Sequence, residues 1–278
     1  ELEQITAGEI GLAVVCTFLS FVALAGYELY ALRYVGRKLA LWRVGLYSFI
    51  AQSLAHAVGF AIFVGPTLRY KLYSAHGFTV LEVAKIQLFF MTTFGLGAAT
   101  LAGGVLLIAP EPLAYASSIP VELWQAGGLL LLAGVGAILV WGALFHRPVR
   151  WFGQVLILPT ARVTLIQSAL GIADLCAVAA ALHVLMPEEL GLGYFEVLGI
   201  FVAAVTLGLV SHVPGSLGVF ESAVLVLVHP EPEATAPLIG ALVAFRAIYY
   251  MLPLACGAIS LATLATKRAV APARERTA

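Results

Sequence analysis

The sequence predicts an all-α polytopic membrane protein, an inverted-topology repeat with two re-entrant broken-helix hairpins. Three observations predict it. Of its 278 residues, 62% are hydrophobic and 11% charged, with a mean hydropathy of +1.01; soluble domains run at roughly 45–50% apolar and about 25% charged. Nearly all Lys and Arg gather in one set of loops, and two interrupted apolar stretches far apart in the chain share landmarks. The composition excludes a soluble enzyme, a disordered tail and a nucleic-acid module, which would need a basic face. The 15 Lys and Arg balance 15 Asp and Glu, so net charge names no partner. Cys16, Cys176 and Cys256 each stand alone in apolar surroundings and read as packed free thiols.

A crossing helix needs about 20 mostly apolar residues. Stretches 10–32, 79–108, 123–145, 163–185 and 236–264 meet that requirement. Stretches 41–64 and 193–228 are apolar but interrupted, by Gly59 and Gly65-Pro66 in the first and by Pro214-Gly215 in the second. One transmembrane domain accounts for the whole: repeat one at 10–108, a connecting helix at 123–145, repeat two at 163–264 and a basic cytoplasmic tail at 265–278. No signal peptide is visible and residue 1 is not Met, which suggests a processed or excised piece of a longer protein.

Loop charge sets orientation, because Lys and Arg near helix ends stay in the cytoplasm. Arg33, Arg37, Lys38 and Arg43 follow the first span, and Arg69 and Lys71 the first interrupted stretch. Arg147, Arg150 and Arg162 separate the third and fourth spans; Lys267, Arg268, Arg274 and Arg276 end the chain. The other loops carry Glu111, Glu122, Glu188, Glu189, Glu231 and Glu233 and no base. If either interrupted stretch simply crossed, this separation would collapse. It survives if each enters, turns at its Gly/Pro break and leaves by the same side. Non-helical backbone at that depth is tolerated only against protein or a watery cavity.

Offsetting the chain by 156 residues lays His56 on His212, Val58-Gly59 on Pro214-Gly215 and Val80 on Ala236. Glu28 and Asp174 match at an offset of 146, the difference falling in loop 186–193. With the sidedness above, the two units run in opposite senses. Inverted repeats whose broken helices meet near mid-membrane characterise many secondary transporters.

Charge inside the spans needs explaining, since a lone Asp, Lys or Arg at a helix centre costs roughly 2.5–3.5 kcal/mol on insertion scales. Glu28, Arg69, Lys85, Asp174, Glu221 and Arg246 are therefore expected to face inward and pair. As structural pins they would hold helices together, and Lys85 would snorkel to the interface. As functional groups, Glu28, Arg69, Asp174, Glu221 and Arg246 would form a substrate site. His56 and His212 precede the breaks and either join that site or satisfy a freed carbonyl. The glycines at 95, 97, 103, 104, 127, 128, 134 and 136 point to close helix packing. Trp42, Trp124 and Trp151 read as interface anchors. There is no GxxxxGK[ST], HExxH, CxxC or GxSxG, and no metal or cofactor site is expected. Nothing nominates a nucleophile with its base, so the motifs leave an intramembrane protease or acyltransferase without support.

Four segments carry a family resemblance: Tyr27-Glu-Leu-Tyr-Ala-Leu-Arg33; Ala57-Val-Gly59 through Gly65-Pro-Thr-Leu-Arg-Tyr-Lys-Leu-Tyr73; His212-Val-Pro-Gly-Ser-Leu-Gly-Val-Phe-Glu221; and Phe245-Arg-Ala-Ile-Tyr-Tyr-Met-Leu-Pro253. They resemble the membrane domain of MprF, the bacterial lysyl-phosphatidylglycerol synthase/flippase family, whose wider circle includes the YbhN-like proteins. The likeness covers nearly the whole chain. It implies movement of aminoacylated phosphatidylglycerol from the inner to the outer leaflet, which blunts cationic antimicrobial peptides. It carries the family's acidic residue after Tyr to Glu28, its hairpin arginine to Arg69, its helix aspartate to Asp174 and its Pro-Gly-motif acid to Glu221. The family's Tyr-Arg pair stands here as Phe245-Arg246. The family usually has one more helix ahead of Glu1, and its lysyltransferase would lie in a C-terminal domain beyond this chain.

The expected partners are phospholipid, the surrounding bacterial inner membrane, a fused or associated synthase domain and further copies of the chain, with no nucleic acid. Two other readings stay open: an ion-coupled small-solute transporter on the same architecture, and a non-transporting membrane module of a synthase.

Overall fold

The computed structural model describes residues 5–58, 61–144, 149–151, 154–156 and 160–275. Its helices are α1 (Ala7–Tyr34), α2 (Leu41–Val58), α3 (Ala61–Tyr73), α4 (Val80–Ile108), α5 (Glu111–Ser117), α6 (Val121–Leu144), α7 (Ala161–Leu185), α8 (Tyr194–Ser211), α9 (Val219–Val228), α10 (Pro232–Arg246) and α11 (Leu252–Glu275). A π-helical turn, Ala247–Met251, joins α10 to α11. Six helices among the described residues are long and apolar enough to cross a membrane: α1, α4, α6, α7, α8 and the continuous run Pro232–Thr266. The chain is an all-α multi-spanning membrane protein. One small addition lies between α6 and α7, where β1 (Val149–Trp151) pairs antiparallel with β2 (Gln154–Leu156). Arg147, one of the basic loop residues, lies outside the described residues, as do Gly59 and residues 276–278.

Helix starts follow the local chemistry. Thr6 caps α1 and Thr79 caps α4, each closing a reciprocal box with the glutamate three residues on, Glu9 and Glu82. Such a box satisfies two N–H groups that have no partner within the helix. Outward faces of α1 and α6 stay apolar, with Phe18, Val22, Leu129 and Leu130 all more than half exposed. Lipid covers such faces, so their exposure costs nothing here.

Side-chain contacts give the helix directions. Ser20 meets Asp174 while Gly26 meets Leu170, so α1 and α7 are antiparallel. Gln167 reaches the Phe89 carbonyl and Gly171 abuts Gly97, so α4 runs parallel to α7. Ser48 bonds the Leu24 carbonyl and His56 lies beside Phe21, so α2 runs back along α1. His56 also faces Tyr249 while Ser53 lies at Gly257, which sets the α10–α11 run antiparallel to α2. Two apolar clusters follow from this arrangement. One gathers the end of α1 with α2, α3 and the start of α4, around Leu32, Ile50, Tyr73 and Ile86. The other joins α1 and α7 to α8, α9 and α10, around Leu182, Phe201, Phe220 and Phe245.

Two glycine contacts let the long helices touch backbone to backbone. A Cβ on Gly97 would lie 2.4 Å from the Gly171 carbonyl carbon, and one on Gly128 would lie 2.8 Å from the Gly103 carbonyl oxygen. The packing expected of the glycines holds at 97, 103 and 128, whereas Gly95, Gly104, Gly127, Gly134 and Gly136 face open space. Gly97→Ala should therefore push α4 from α7 and destabilise the protein by about 1–3 kcal/mol, the usual cost of overpacking. Gly104→Ala should be neutral or slightly stabilising, because alanine is the better helix former. Thermal unfolding in lipid nanodiscs checks the pair; equal melting of both variants would remove the role assigned to the Gly97–Gly171 contact.

Candidate functional site

Three polar clusters lie within the bundle. The first centres on Arg69 of α3, which is 1% exposed. Its Nε lies 3.0 Å from both Glu28 carboxylate oxygens and its Nη2 lies 2.8 Å from Oε2. Nη1 donates to Gln87 Oε1 at 2.6 Å, and Nη2 reaches Gln52 Oε1 at 3.4 Å. The Tyr73 hydroxyl donates to Glu28 Oε1 at 2.7 Å, and the Phe90 ring lies 4.7 Å below the guanidinium carbon. Four elements thus meet at one guanidinium. Its planar fork suits such convergent, partly bidentate bonding, which an ammonium could not reproduce.

Gly65 and Pro66, expected at the break, lie within α3, which continues through them. Space explains the glycine. A Cβ there would come 3.1 Å from Arg69 Nη1 and 3.4 Å from Gln87 Oε1. Gly65 therefore makes room for the guanidinium and its amide partner. Residues 59 and 60, between α2 and α3, lie outside the described residues.

The second cluster surrounds the interruption after α8. His212 ends α8 in the left-handed region, with φ 56°, and its Nδ1 donates to the Val210 carbonyl at 2.7 Å. That matches the expected satisfaction of a freed carbonyl. Pro214–Ser216 forms a short 3-10 turn in which Gly215 has φ 61°, and Gly218 follows at φ 78°. Arg246 of α10 clasps this turn: Nη1 bonds the Gly215 carbonyl at 2.6 Å, Nη2 the Ser216 carbonyl at 3.1 Å, and Nε the Glu221 carboxylate at 2.5 Å. Glu221 also accepts the Gly218 N–H at 2.8 Å, capping α9. This pair is more open than the first, at 13% exposure for Arg246 and 26% for Glu221.

Asp174 forms the third cluster, midway along α7 and 4% exposed. Ser20 donates to Oδ1 at 2.6 Å and Tyr27 to Oδ2 at 3.2 Å. No ion pair reaches it among the described residues. His56 stands nearby, its ring 6.0 Å from Tyr249 and 6.4 Å from Phe21, its Nδ1 without a partner among the described residues. Lys85 is exposed near the start of α4, and Glu82 pairs with Arg37 at 2.6 Å.

The five charged candidates therefore fall into three settings: Glu28 with Arg69, Glu221 with Arg246, and Asp174 apart. Gln52, Gln87, Tyr73, Ser20 and Tyr27 complete them and were not singled out from sequence. Their signal was present in Gln52 and Gln87, amide side chains inside apolar segments. No group of three or more His, Cys, Asp or Glu with metal-site geometry occurs among the described residues.

If Glu28–Arg69 is a packed pair, Arg69→Met should strand a buried carboxylate and cost about 3–5 kcal/mol. Adding Glu28→Leu should recover most of that loss, because both charges are then gone. Melting temperatures of the single and double variants check this. A double variant no more stable than the single would show that the two charges are not coupled.

No protein-family profile matches the chain. Two curated proteins are similar to it. An uncharacterized protein of Synechocystis sp., slr0712, is 30% identical over 246 residues, covering 87% of this chain and 75% of its own length. The inner membrane protein YbhN of Escherichia coli is 30% identical over 251 residues, covering 88% of this chain and 75% of its own length. At this identity and coverage, the chain belongs to the YbhN-like family of multi-pass membrane proteins.

Proposed function

We propose that the chain is a lipid-translocating domain of the bacterial inner membrane, in which two opposed re-entrant hairpins enclose a headgroup cavity. α2–α3 is the inner hairpin and α8–α9 the outer one. Helix direction supports this reading. Because α1 and α4 run oppositely, the chain leaves one and enters the other on the same side. The 13 residues of α3 reach about 20 Å at 1.5 Å per residue, short of a hydrocarbon core about 30 Å thick. α7 and the α10–α11 run are likewise opposed, and the 10 residues of α9 reach about 15 Å. Neither hairpin has a second limb long enough to cross back. Each dips in and returns, and the two halves, 10–108 and 163–264, are inverted repeats joined through α6.

The cargo is a phospholipid whose headgroup carries both signs of charge. Aminoacylated phosphatidylglycerol, moved from the inner to the outer leaflet, is the case implied by the likeness to the lysyl-phosphatidylglycerol flippases. One observation carries this reading: the partly open Glu221–Arg246 pair set on the broken turn Pro214–Ser216. A carboxylate there can take an ammonium and a guanidinium a phosphate, which is what such a headgroup offers. Glu28–Arg69 lies at the matching place on the inner hairpin, closed in this structure, and would open when the cavity faces inward.

Sidedness is tested by single cysteines in a background with Cys16, Cys176 and Cys256 replaced. Positions 71 and 267 should resist an impermeant thiol reagent applied to intact cells, while 188 and 233 should label. Efficient labelling at 71 would remove the inner hairpin. Cargo is tested in a host with an intact synthase. Arg246→Gln should lower outer-leaflet lysyl-lipid at least about tenfold, the equivalent of one charge-assisted hydrogen bond, at unchanged lipid synthesis and protein level. Normal leaflet asymmetry at normal protein level would overturn the headgroup role of Arg246.

A further inference from the structure

Every acid that the described bundle holds in an ion pair meets an arginine: Glu28 meets Arg69, Glu82 meets Arg37 and Glu221 meets Arg246. Asp174 is nearly as buried as Glu28 and more so than Glu82 or Glu221, and has two neutral hydroxyls instead. A buried carboxylate with no counter-charge is costly, and its neutral acid form is the one burial favours. Two hydroxyl donors offset part of that cost by bonding the charged form. The site therefore balances both charge states, which an arginine pair would not allow.

The neighbourhood supplies a route. The His56 ring lies 6.0 Å from that of Tyr249, and both face Phe21, the neighbour of Ser20 in α1. His56 Nδ1 and the buried Thr17 hydroxyl, one turn before Ser20, have no partner among the described residues. Polar atoms left open in this way usually meet water. His56 stands in the last turn of α2. Polar groups thus run from the end of one interrupted stretch, through the π turn, to the middle of α7.

The other titratable and charged groups on the elements around α7 are engaged or distant. On α1, Glu28 is held by Arg69 and Glu9 caps the first turn. On α4, Glu82 is paired with Arg37, with Lys85 exposed one turn on. Glu122 opens α6, Glu196 caps α8, and Arg246 of α10 holds Glu221 while Glu233 opens that helix. Tyr194 of α8 bonds the Cys176 carbonyl, and His183 lies in the last turn of α7. Tyr27 and Tyr249 are the titratable groups that face Asp174.

We propose that Asp174, with Ser20 and Tyr27, is a proton-binding site within the membrane, and that its reversible protonation couples transport to the proton gradient. A proton taken up on Oδ2 makes that oxygen a donor. Tyr27 must then turn from donating to accepting, and the same proton leaves when the site opens to the other side. Tyr27 adjoins Glu28 in α1 and packs on Phe90 at 4.7 Å, the ring over which Arg69 sits. Release of Tyr27 is thereby felt at the Glu28–Arg69 cluster. The proposal rests on reading the chain as a transporter, but its test does not need the lipid.

The experiment is infrared difference spectroscopy of the full chain in lipid nanodiscs, stepped in pH with and without sodium. One protonated-carboxyl band should appear and vanish reversibly, be lost in Asp174→Asn and move in frequency in Asp174→Glu. Ser20→Ala should raise proton affinity about tenfold, since a hydrogen bond to the charged form is removed. A band unchanged by Asp174→Glu, or none that titrates while the protein stays folded, overturns the site. Displacement of the band by sodium at fixed pH reassigns it to that ion. Should Asp174→Asn fail to fold, Asp174→Glu and Ser20→Ala decide alone. Titration without leaflet transport leaves the proton site standing and removes the lipid reading; leaflet transport with a silent Asp174 does the reverse.

Discussion

Charge held in hydrocarbon has to be answered from within the protein, and the described bundle is arranged around that demand. The Glu28–Arg69 pair draws in amides from α2 and α4 and a phenol from α3, so one guanidinium ties the first interrupted stretch to two long helices. Arg246 does the equivalent for the second, binding the carbonyls of the broken turn and the acid that caps α9. Lipid tails are as apolar as leucine, so helix association in a membrane has little hydrophobic drive. What remains is close packing and polar bonding. Gly97 on Gly171 and Gly103 on Gly128 provide the first; the arginine clusters provide the second.

The two pairs differ in one respect that bears on function. Arg69 is closed off by protein on every face the structure describes, whereas Arg246 and Glu221 keep partial exposure. On the transporter reading proposed above, alternating access would require such a difference at any instant, with one pair closed and the other open.

How far the sequence was legible follows from what each signal measures. Hydropathy located α1, α4, α6, α7 and the α10–α11 run, because a length of apolar residues is a local property. Charge in an apolar span marked Glu28, Arg69, Asp174, Glu221 and Arg246 as inward-facing, because hydrocarbon leaves no other place for it. Which acid meets which base was not legible; it depends on helix rotation and register, which no local pattern records. Gly65-Pro66 looks like a break in sequence and is not one in the structure. The glycine there answers a guanidinium four residues on, a contact visible only once α4 brings Gln87 to the same place. Tyr27 and Ser20 were unmarked for a similar reason: in an apolar helix they are ordinary residues until Asp174 faces them.

The π turn stands between the open arginine cluster and His56, and its cause is a single residue. Pro253 has no N–H, so the Tyr249 carbonyl lacks the donor that a regular α-helix would supply four residues later. The chain widens by one residue instead, with the Leu252 N–H bonding the Ala247 carbonyl. Widened turns of this kind occur frequently at functional sites. Here the consequence is geometric. Tyr249 and Tyr250 stand nearly perpendicular, at 85°, and face different neighbours. Tyr250 lies under Arg246, 4.8 Å from its guanidinium carbon, while Tyr249 faces Phe21 and His56. Adjacent residues of one turn thus face the Arg246 guanidinium and the His56 ring. A shift of Arg246 on its carbonyls bears on Tyr250, and through one peptide unit on Tyr249.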